Sequence, residues 1–196
     1  MAGRRRAREA FADGRARRAA SDDPAGVLEA AARFLEARSR SVAEVRRRLG
    51  RAGYRSELVD GAIVRLGELG MLDDEAFGRA WVESRDRARP RGELALRREL
   101  ALKGVDRAIV DELLDERRAP GGVTPDGDGV DLEAARRLLA RNERSLARVA
   151  DPRQRRQRAY ALLARNGFDP ETCREASAQA MAAELAGDDD GADGEA

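Results

Sequence analysis

Histidine is absent from the 196 residues, cysteine and lysine occur once each, and the aromatic residues are four Phe, two Tyr and one Trp. Without histidine there is no customary general base, no side chain titrating near neutral pH and no usual zinc ligand. His-based catalytic triads and His-ligated zinc sites are therefore excluded. The single Cys173 excludes an internal disulfide framework and suits a reducing, cytoplasmic setting. No apolar run approaches the ~18–20 residues that a membrane-spanning helix requires, and the basic N-terminus is not followed by an apolar signal-peptide core. The expectation is a soluble, unexported, cytoplasmic protein that needs no cofactor or metal.

Arginine and alanine are abundant. Lys and Arg total 38, with Lys103 the sole lysine, against 37 Asp and Glu, for a net charge of +1. A GC-rich genome accounts for such a bias, so arginine abundance by itself does not mark a nucleic-acid binder. The near-neutral total conceals two opposed ends. Residues 1–20 carry seven Arg against Glu9 and Asp13, a local charge of +5, whereas residues 187–196 carry five acids and no base, a local charge of −5. Both ends are poor in large apolar residues, which predicts disordered tails over 1–23 and 187–196. The basic tail could hold phosphates by charge alone or serve only as a solvated arm.

Between the tails, one pattern recurs three times. A Leu is followed four residues later by Gly and then by a large apolar residue: Leu49 to Gly53-Tyr54, Leu100 to Gly104-Val105, and Leu163 to Gly167-Phe168. Each Gly ends an amphipathic stretch, where a left-handed cap is required. Six residues beyond each lies a small apolar residue, Val59, Val110 or Cys173, so the register persists past the turn.

The helix before each Gly has a start signal or a break in front of it. Ser41-Val42-Ala43-Glu44 is a capping box, Asp151-Pro152 is an N-cap with proline at the first helical position, and Pro90 stops the helix preceding the second unit. Further helices precede these breaks, with apolar residues at helical spacing, and a third helix follows each Gly. No alternating β-branched run suggests a strand. Spacing thus predicts an all-α protein of three tandem three-helix repeats, nine short helices stacked into an elongated, curved body. The predicted divisions are repeats at 24–72, 73–118 and 131–186, with a flexible linker over 119–130, where Pro and Gly fill half of twelve positions.

Three stretches resemble the RecX family, regulators of the RecA recombinase: Arg38-Ser39-Arg40-Ser41 through Leu49, Gly70-Met71-Leu72-Asp73-Asp74-Glu75-Ala76-Phe77, and Arg98-Glu99-Leu100-Ala101-Leu102-Lys103-Gly104-Val105. The similarity covers about residues 24–185, and the family is itself built of tandem three-helix repeats. It implies a non-enzymatic, monomeric regulator docked in the groove of a RecA filament on single-stranded DNA. Such a regulator blocks strand exchange, ATP hydrolysis and coprotease activity, or helps the filament disassemble, in DNA repair, recombination and the SOS response; a weak contact with single-stranded DNA, without sequence preference, is the further partner expected. The 119–130 linker and the two charged tails lie outside the family pattern.

Several residues admit two readings. Asp73-Asp74-Glu75 could suggest a metal or acid–base site, but at a helix start these carboxylates cap free amides. Cys173 occupies the core position of Val59 and Val110, with no histidine to activate it as a nucleophile. Phe77 and Trp81, four residues apart, read as core rather than as a stacking platform. All three middle helices carry net positive charge. Arg46-Arg47 and Arg97-Arg98 share repeat positions seven and six residues before their Gly, which predicts a partner-binding stripe that also takes in Arg91, Lys103, Arg155 and Arg156. The alternatives are pairing with acids of the third helices, or plain solvation. A helix-turn-helix transcription regulator or other direct nucleic-acid binder is the competing function, although three similar basic helices fit a distributed surface better than one recognition helix. No phosphate-cradling glycine loop, nucleophile or metal cluster supports an enzyme.

Overall fold

The computed structural model describes residues 2–118 and 129–189. Among the described residues there are ten helices and no strand. In chain order these are α1 (Ala2–Ala20), α2 (Pro24–Glu36), α3 (Val42–Ala52), α4 (Ser56–Glu68), α5 (Asp74–Ala88), α6 (Glu93–Lys103), α7 (Arg107–Arg118), α8 (Val130–Ala147), α9 (Pro152–Arg165) and α10 (Pro170–Asp189). None is long and apolar enough to cross a membrane. The described residues divide into two compact units, one of residues 2–78 and 101–109, the other of residues 79–100, 110–118 and 129–189.

The start signals act as expected. Ser41 and Glu44 form the capping box of α3, with the Ser41 side chain accepting from the Glu44 amide at 3.1 Å. Asp151 accepts from the Arg153 amide ahead of Pro152, and Asp73 accepts from the Glu75 and Ala76 amides. Helix α5 stops at Ala88, just before Pro90, whose ring cannot continue it.

Gly53, Gly104 and Gly167 have φ of 97°, 80° and 83°, a left-handed backbone that L side chains resist. At two of these turns the amide after the Gly reaches back to the repeat leucine, Tyr54 to the Leu49 carbonyl and Phe168 to the Leu163 carbonyl, both at 3.3 Å. That is the long hydrogen bond of a helix-ending Schellman turn. The same register sets the core. Leu49, Leu100 and Leu163, and likewise Val59, Val110 and Cys173, are all buried to 3% exposure or less. Burying each leucine contributes about 1.5–3 kcal/mol. In the first unit Val27, Val45, Leu49, Val59 and Leu66 share one cluster from α2, α3 and α4. In the second unit Leu132, Leu139, Ala159, Leu163 and Cys173 share another from α8, α9 and α10.

Each turn is also sealed by the element before it. The carbonyl one residue ahead of the turn glycine is the acceptor in all three cases. Ser41 Oγ donates to the Lys103 carbonyl at 2.7 Å, and the Gly92 amide donates to the Asn166 carbonyl at 3.1 Å. Gly104 lies so close to α3 that a Cβ there would meet Ala43 Cβ at 2.4 Å, and one on Gly167 would meet Ala95 of α6 at the same distance.

The first turn has no repeat ahead of it, and α1 takes that place. Arg18 Nε donates to the Ala52 carbonyl at 2.6 Å, its guanidinium lies 5.8 Å from the Tyr54 ring, and a Cβ on Gly53 would meet Arg15 Cγ at 2.4 Å. Residues 2–20 are therefore a docked helix and not the disordered tail that composition predicts. Counting apolar residues misses a helix built of strong helix formers and held by guanidinium on backbone carbonyl. Of the expected linker, residues 119–128 lie outside the described residues, while Gly129 is the N-cap of α8 and Val130 its first residue. Of the expected acidic tail, residues 187–189 belong to α10 and 190–196 lie outside the described residues.

Candidate functional site: the basic middle helices

Helices α3, α6 and α9 carry the basic residues singled out by the repeat, and the structure gives most of those side chains internal partners. Arg46 meets Asp60 of α4 through Nε at 3.2 Å and Nη2 at 2.9 Å. Arg97 likewise meets Asp111 of α7, and its Nη2 also reaches Glu93 at 3.1 Å. The two pairs are repeat-equivalent, since arginine stands seven residues before the turn glycine and aspartate seven after it. In the third repeat those positions are Tyr160 and Arg174, so no such pair forms.

The other stripe residues divide similarly. Arg47 Nη2 donates to the Lys103 carbonyl at 3.2 Å, and Lys103 Nζ lies 3.0 Å from Glu44 Oε1. Arg91 donates to Asn166 Oδ1, and Arg155 Nε donates to the Val149 carbonyl at 2.9 Å. Arg98 and Arg156 are exposed and have no partner among the described residues. Pairing with the acidic third helices, one of the alternatives weighed from sequence, thus accounts for Arg46 and Arg97. Within the first unit the structure brings Arg47 and Lys103 together. Exposed pairs such as Arg46–Asp60 contribute only about 0–1 kcal/mol to stability.

Burial and charge together set two titrations here. Burial pushes the Glu44 carboxyl up, but the Lys103 hydrogen bond and charge, the Arg38 charge and the Ser41 amide outweigh it and hold the group below its ordinary value. Asp74 goes the other way. Its burial, helped by the charge of Asp73, exceeds the effect of the Val42 amide that Oδ1 accepts at 2.8 Å, so its carboxyl is raised. Of the three clustered acids, then, Asp73 caps its own helix while Asp74 caps α3 from outside.

Residues that sequence spacing does not reveal organise the second unit. Glu99 Oε2 accepts from Trp81 Nε1 at 2.9 Å and from Arg85 Nε at 2.7 Å, while the Arg85 guanidinium lies 4.3 Å from the Trp81 ring. Trp81 is half-buried, and a ring already covered by a guanidinium is not a free stacking platform. Arg117, with its side chain 7% exposed, bridges Asp86, at 2.9 and 3.0 Å, and Asp131, and Asp131 also accepts from the Glu93 amide at 3.0 Å. Both acids stand far from Arg117 in sequence, so no local pattern signals the bridge.

No group of three or more potential metal ligands exists among the described residues. Cys173 is buried and its thiol is pushed up by burial and by the Asp169 charge, the reverse of what a nucleophile needs.

Residues 28–66, 73–114 and 130–176 match, respectively, the models of the first, second and third three-helix domains of RecX. A regulatory protein RecX of Chlorobium phaeobacteroides (strain BS1) is 31% identical over 156 residues, 80% of this chain and 94% of that relative. The regulatory protein RecX of Chlorobaculum tepidum is 34% identical over 149 residues, 76% of this chain and 84% of the relative. The crystal structure of RecX from Lactobacillus salivarius shares the fold, with a TM-score of 0.67 at 18% identity over 82% of this chain and 97% of that one.

Proposed function

The chain belongs to the RecX family, and from that premise we propose that it binds the filament of the RecA recombinase and inhibits strand exchange, ATP hydrolysis and coprotease activity. In this reading it acts in the cytoplasm as a non-enzymatic monomer, in DNA repair, recombination and the SOS response, and touches single-stranded DNA weakly and without sequence preference.

The observation that carries the reading is the succession of three family domains along one chain, each with its turn glycine sealed by the element before it. Such a chain repeats one three-helix unit, which suits a partner that is itself repetitive. Of the eight stripe residues, Arg98 and Arg156 are unpaired among the described residues and present guanidinium forks suited to carboxylate or phosphate. Arg46 and Arg97 contribute by exchanging their internal aspartates for groups on the partner.

The test is three-strand exchange by the cognate recombinase, with the purified protein added after filament assembly. Inhibition at substoichiometric to stoichiometric ratios is expected. Unchanged exchange at saturating protein removes the proposal.

A further inference from the structure

The first and second repeats differ at one place in a way that reverses its charge. Five residues before the turn glycine the second repeat has Glu99 and the first has Arg48; thirteen before it both have arginine, Arg91 and Arg40. Twenty-three residues before the same glycine stand Trp81 and Ala30. The register holds at these positions, because the residues that follow, Leu100 and Leu49, and Val82 and Ala31, are all buried.

In the second repeat this place is filled from within. Glu99 Oε2 accepts from Trp81 Nε1 at 2.9 Å and from Arg85 Nε at 2.7 Å, and Arg91 Nε lies 3.5 Å from Glu99 Oε1. A ring and a carboxylate in direct contact thus satisfy two arginines. In the first repeat Ala30 supplies no ring and Arg48 no carboxylate. Beside α2 and α3 there is instead a cleft of about 390 Å³, lined by Ala30, Arg48, Leu49, Arg51 and Tyr54, among others, with no acidic side chain in its wall. That volume falls within the ~300–1,000 Å³ of ordinary ligand pockets.

The arginines here lack the anion that their counterparts have. The guanidiniums of Arg40 and Arg48 lie 4.4 and 5.7 Å from the centre of the Phe34 ring. Neither has an acidic or hydrogen-bonding partner among the described residues, and Arg40 Nε is buried without one. Two guanidiniums gathered on one ring repel each other unless an anion joins them, and their forks suit a carboxylate. The third repeat carries Gln154 and Leu162 at the two positions, so the arrangement is peculiar to the first.

The second repeat also shows what would complete the first: a flat ring with a carboxylate within hydrogen-bond reach of it. Neighbouring side chains of a peptide meet that demand. In a nucleotide the sugar stands between base and phosphate, so a nucleic-acid strand meets it less well. We propose that the cleft beside α2 and α3 binds an acidic segment of a partner protein. An aromatic side chain of that segment takes the place that Trp81 has in the second repeat, and an adjoining Asp or Glu joins Arg40 and Arg48 as Glu99 joins Arg85 and Arg91. The site rests on the comparison of two repeats within this chain and not on the filament regulation proposed above.

The experiment is fluorescence anisotropy of a fluorescein-labelled peptide, Asp-Glu-Trp-Glu-Asp, with the full chain and no recombinase present. Arg48→Glu gives the first repeat its own carboxylate, and Ala30→Trp gives it its own ring. Each should weaken binding about tenfold or more, whereas Arg87→Glu, the same charge change at an exposed arginine in the other unit, should weaken it about twofold or less. If Arg48→Glu loses its helical circular dichroism, Arg48→Gln provides the reading, with the same direction expected. Absence of saturable binding by the unmodified chain at low salt overturns the proposal, as does equal loss in Arg48→Glu and Arg87→Glu. Equal affinity for Asp-Glu-Ala-Glu-Asp overturns the role of the ring and with it the proposal. Displacement of the labelled peptide by oligothymidylate as effectively as by unlabelled peptide also overturns it and assigns the cleft to nucleic acid. Because no recombinase is in the cuvette, each of these failures leaves the proposed filament regulation standing.

Discussion

The hydroxyl of Ser41 lies 2.7 Å from the carbonyl oxygen of Lys103, 62 residues further along the chain. That hydroxyl oxygen also accepts from the Glu44 amide, so one buried side chain both starts α3 and ends α6. The equivalent carbonyls Ala52 and Asn166 are sealed by Arg18 and by the Gly92 backbone. One repeat's turn is thus completed by whatever precedes it, which gives α1 a structural role at the head of the series.

Replacing Ser41 by Ala removes the cap and one donor to a buried carbonyl, while Arg47 Nη2 still reaches that carbonyl at 3.2 Å. The expected cost is about 1.5–3 kcal/mol, from the loss of a helix cap and of one buried hydrogen bond. Denaturant titration reads it directly, and a loss below about 0.5 kcal/mol, the low end for a cap alone, contradicts the double role of Ser41.

Two Gly-to-Ala substitutions should move stability in opposite directions. Gly104→Ala places a Cβ 2.4 Å from Ala43 Cβ in a left-handed backbone, so a loss of about 2–4 kcal/mol is expected. Gly61→Ala lies within α4 with nothing inside 4 Å and should gain about 0.5–1 kcal/mol. Thermal unfolding of the two variants beside the parent checks both signs.

Arg117→Ala leaves Asp86 and Asp131 facing a partly buried gap. The two acids are about a fifth exposed, so the loss should be about 2–4 kcal/mol, near the low end of the cost of removing one member of a buried ion pair. Calorimetry that shows an unchanged transition would mean water replaces the guanidinium without cost.

Glu44 and Asp74 should give opposite pH profiles. The Glu44 carboxyl is lowered in the folded chain, so its contribution is present above the ordinary carboxylate value and lost as pH falls through the lower folded one. The stability gap between the parent and Glu44→Gln should therefore shrink in acid. The Asp74 carboxyl is raised, so its contribution is present in acid and lost as pH rises through the folded value. Asp74→Asn keeps an acceptor for the Val42 amide and should gain relative to the parent over that rise. Urea unfolding across the acid range up to neutral pH resolves both trends, and parallel curves for parent and variants would refute them.

The repeat was legible because it depends on local requirements. A left-handed turn requires Gly53, Gly104 and Gly167, and burial requires Leu49, Leu100 and Leu163 on one helix face. The fate of the arginines was not, because pairing depends on which helices meet. Arg46 and Asp60 stand on opposite sides of a turn, and only the packed hairpin brings them to 2.9 Å. Helix α1 is hidden in the sequence for a related reason, since its anchor is a guanidinium on the backbone carbonyl of Ala52, an acceptor every residue carries. The Arg117 bridge to Asp86 and Asp131 likewise joins residues far apart in sequence.

Regulation of a recombinase filament is tested most directly by ATP turnover of the cognate recombinase on single-stranded DNA, titrated with this protein. Turnover should fall progressively and reach its minimum near stoichiometric protein, and charge reversal at Arg98 and Arg156 should weaken that fall in a chain that keeps its helicity. Turnover that stays constant at saturating protein would contradict filament regulation.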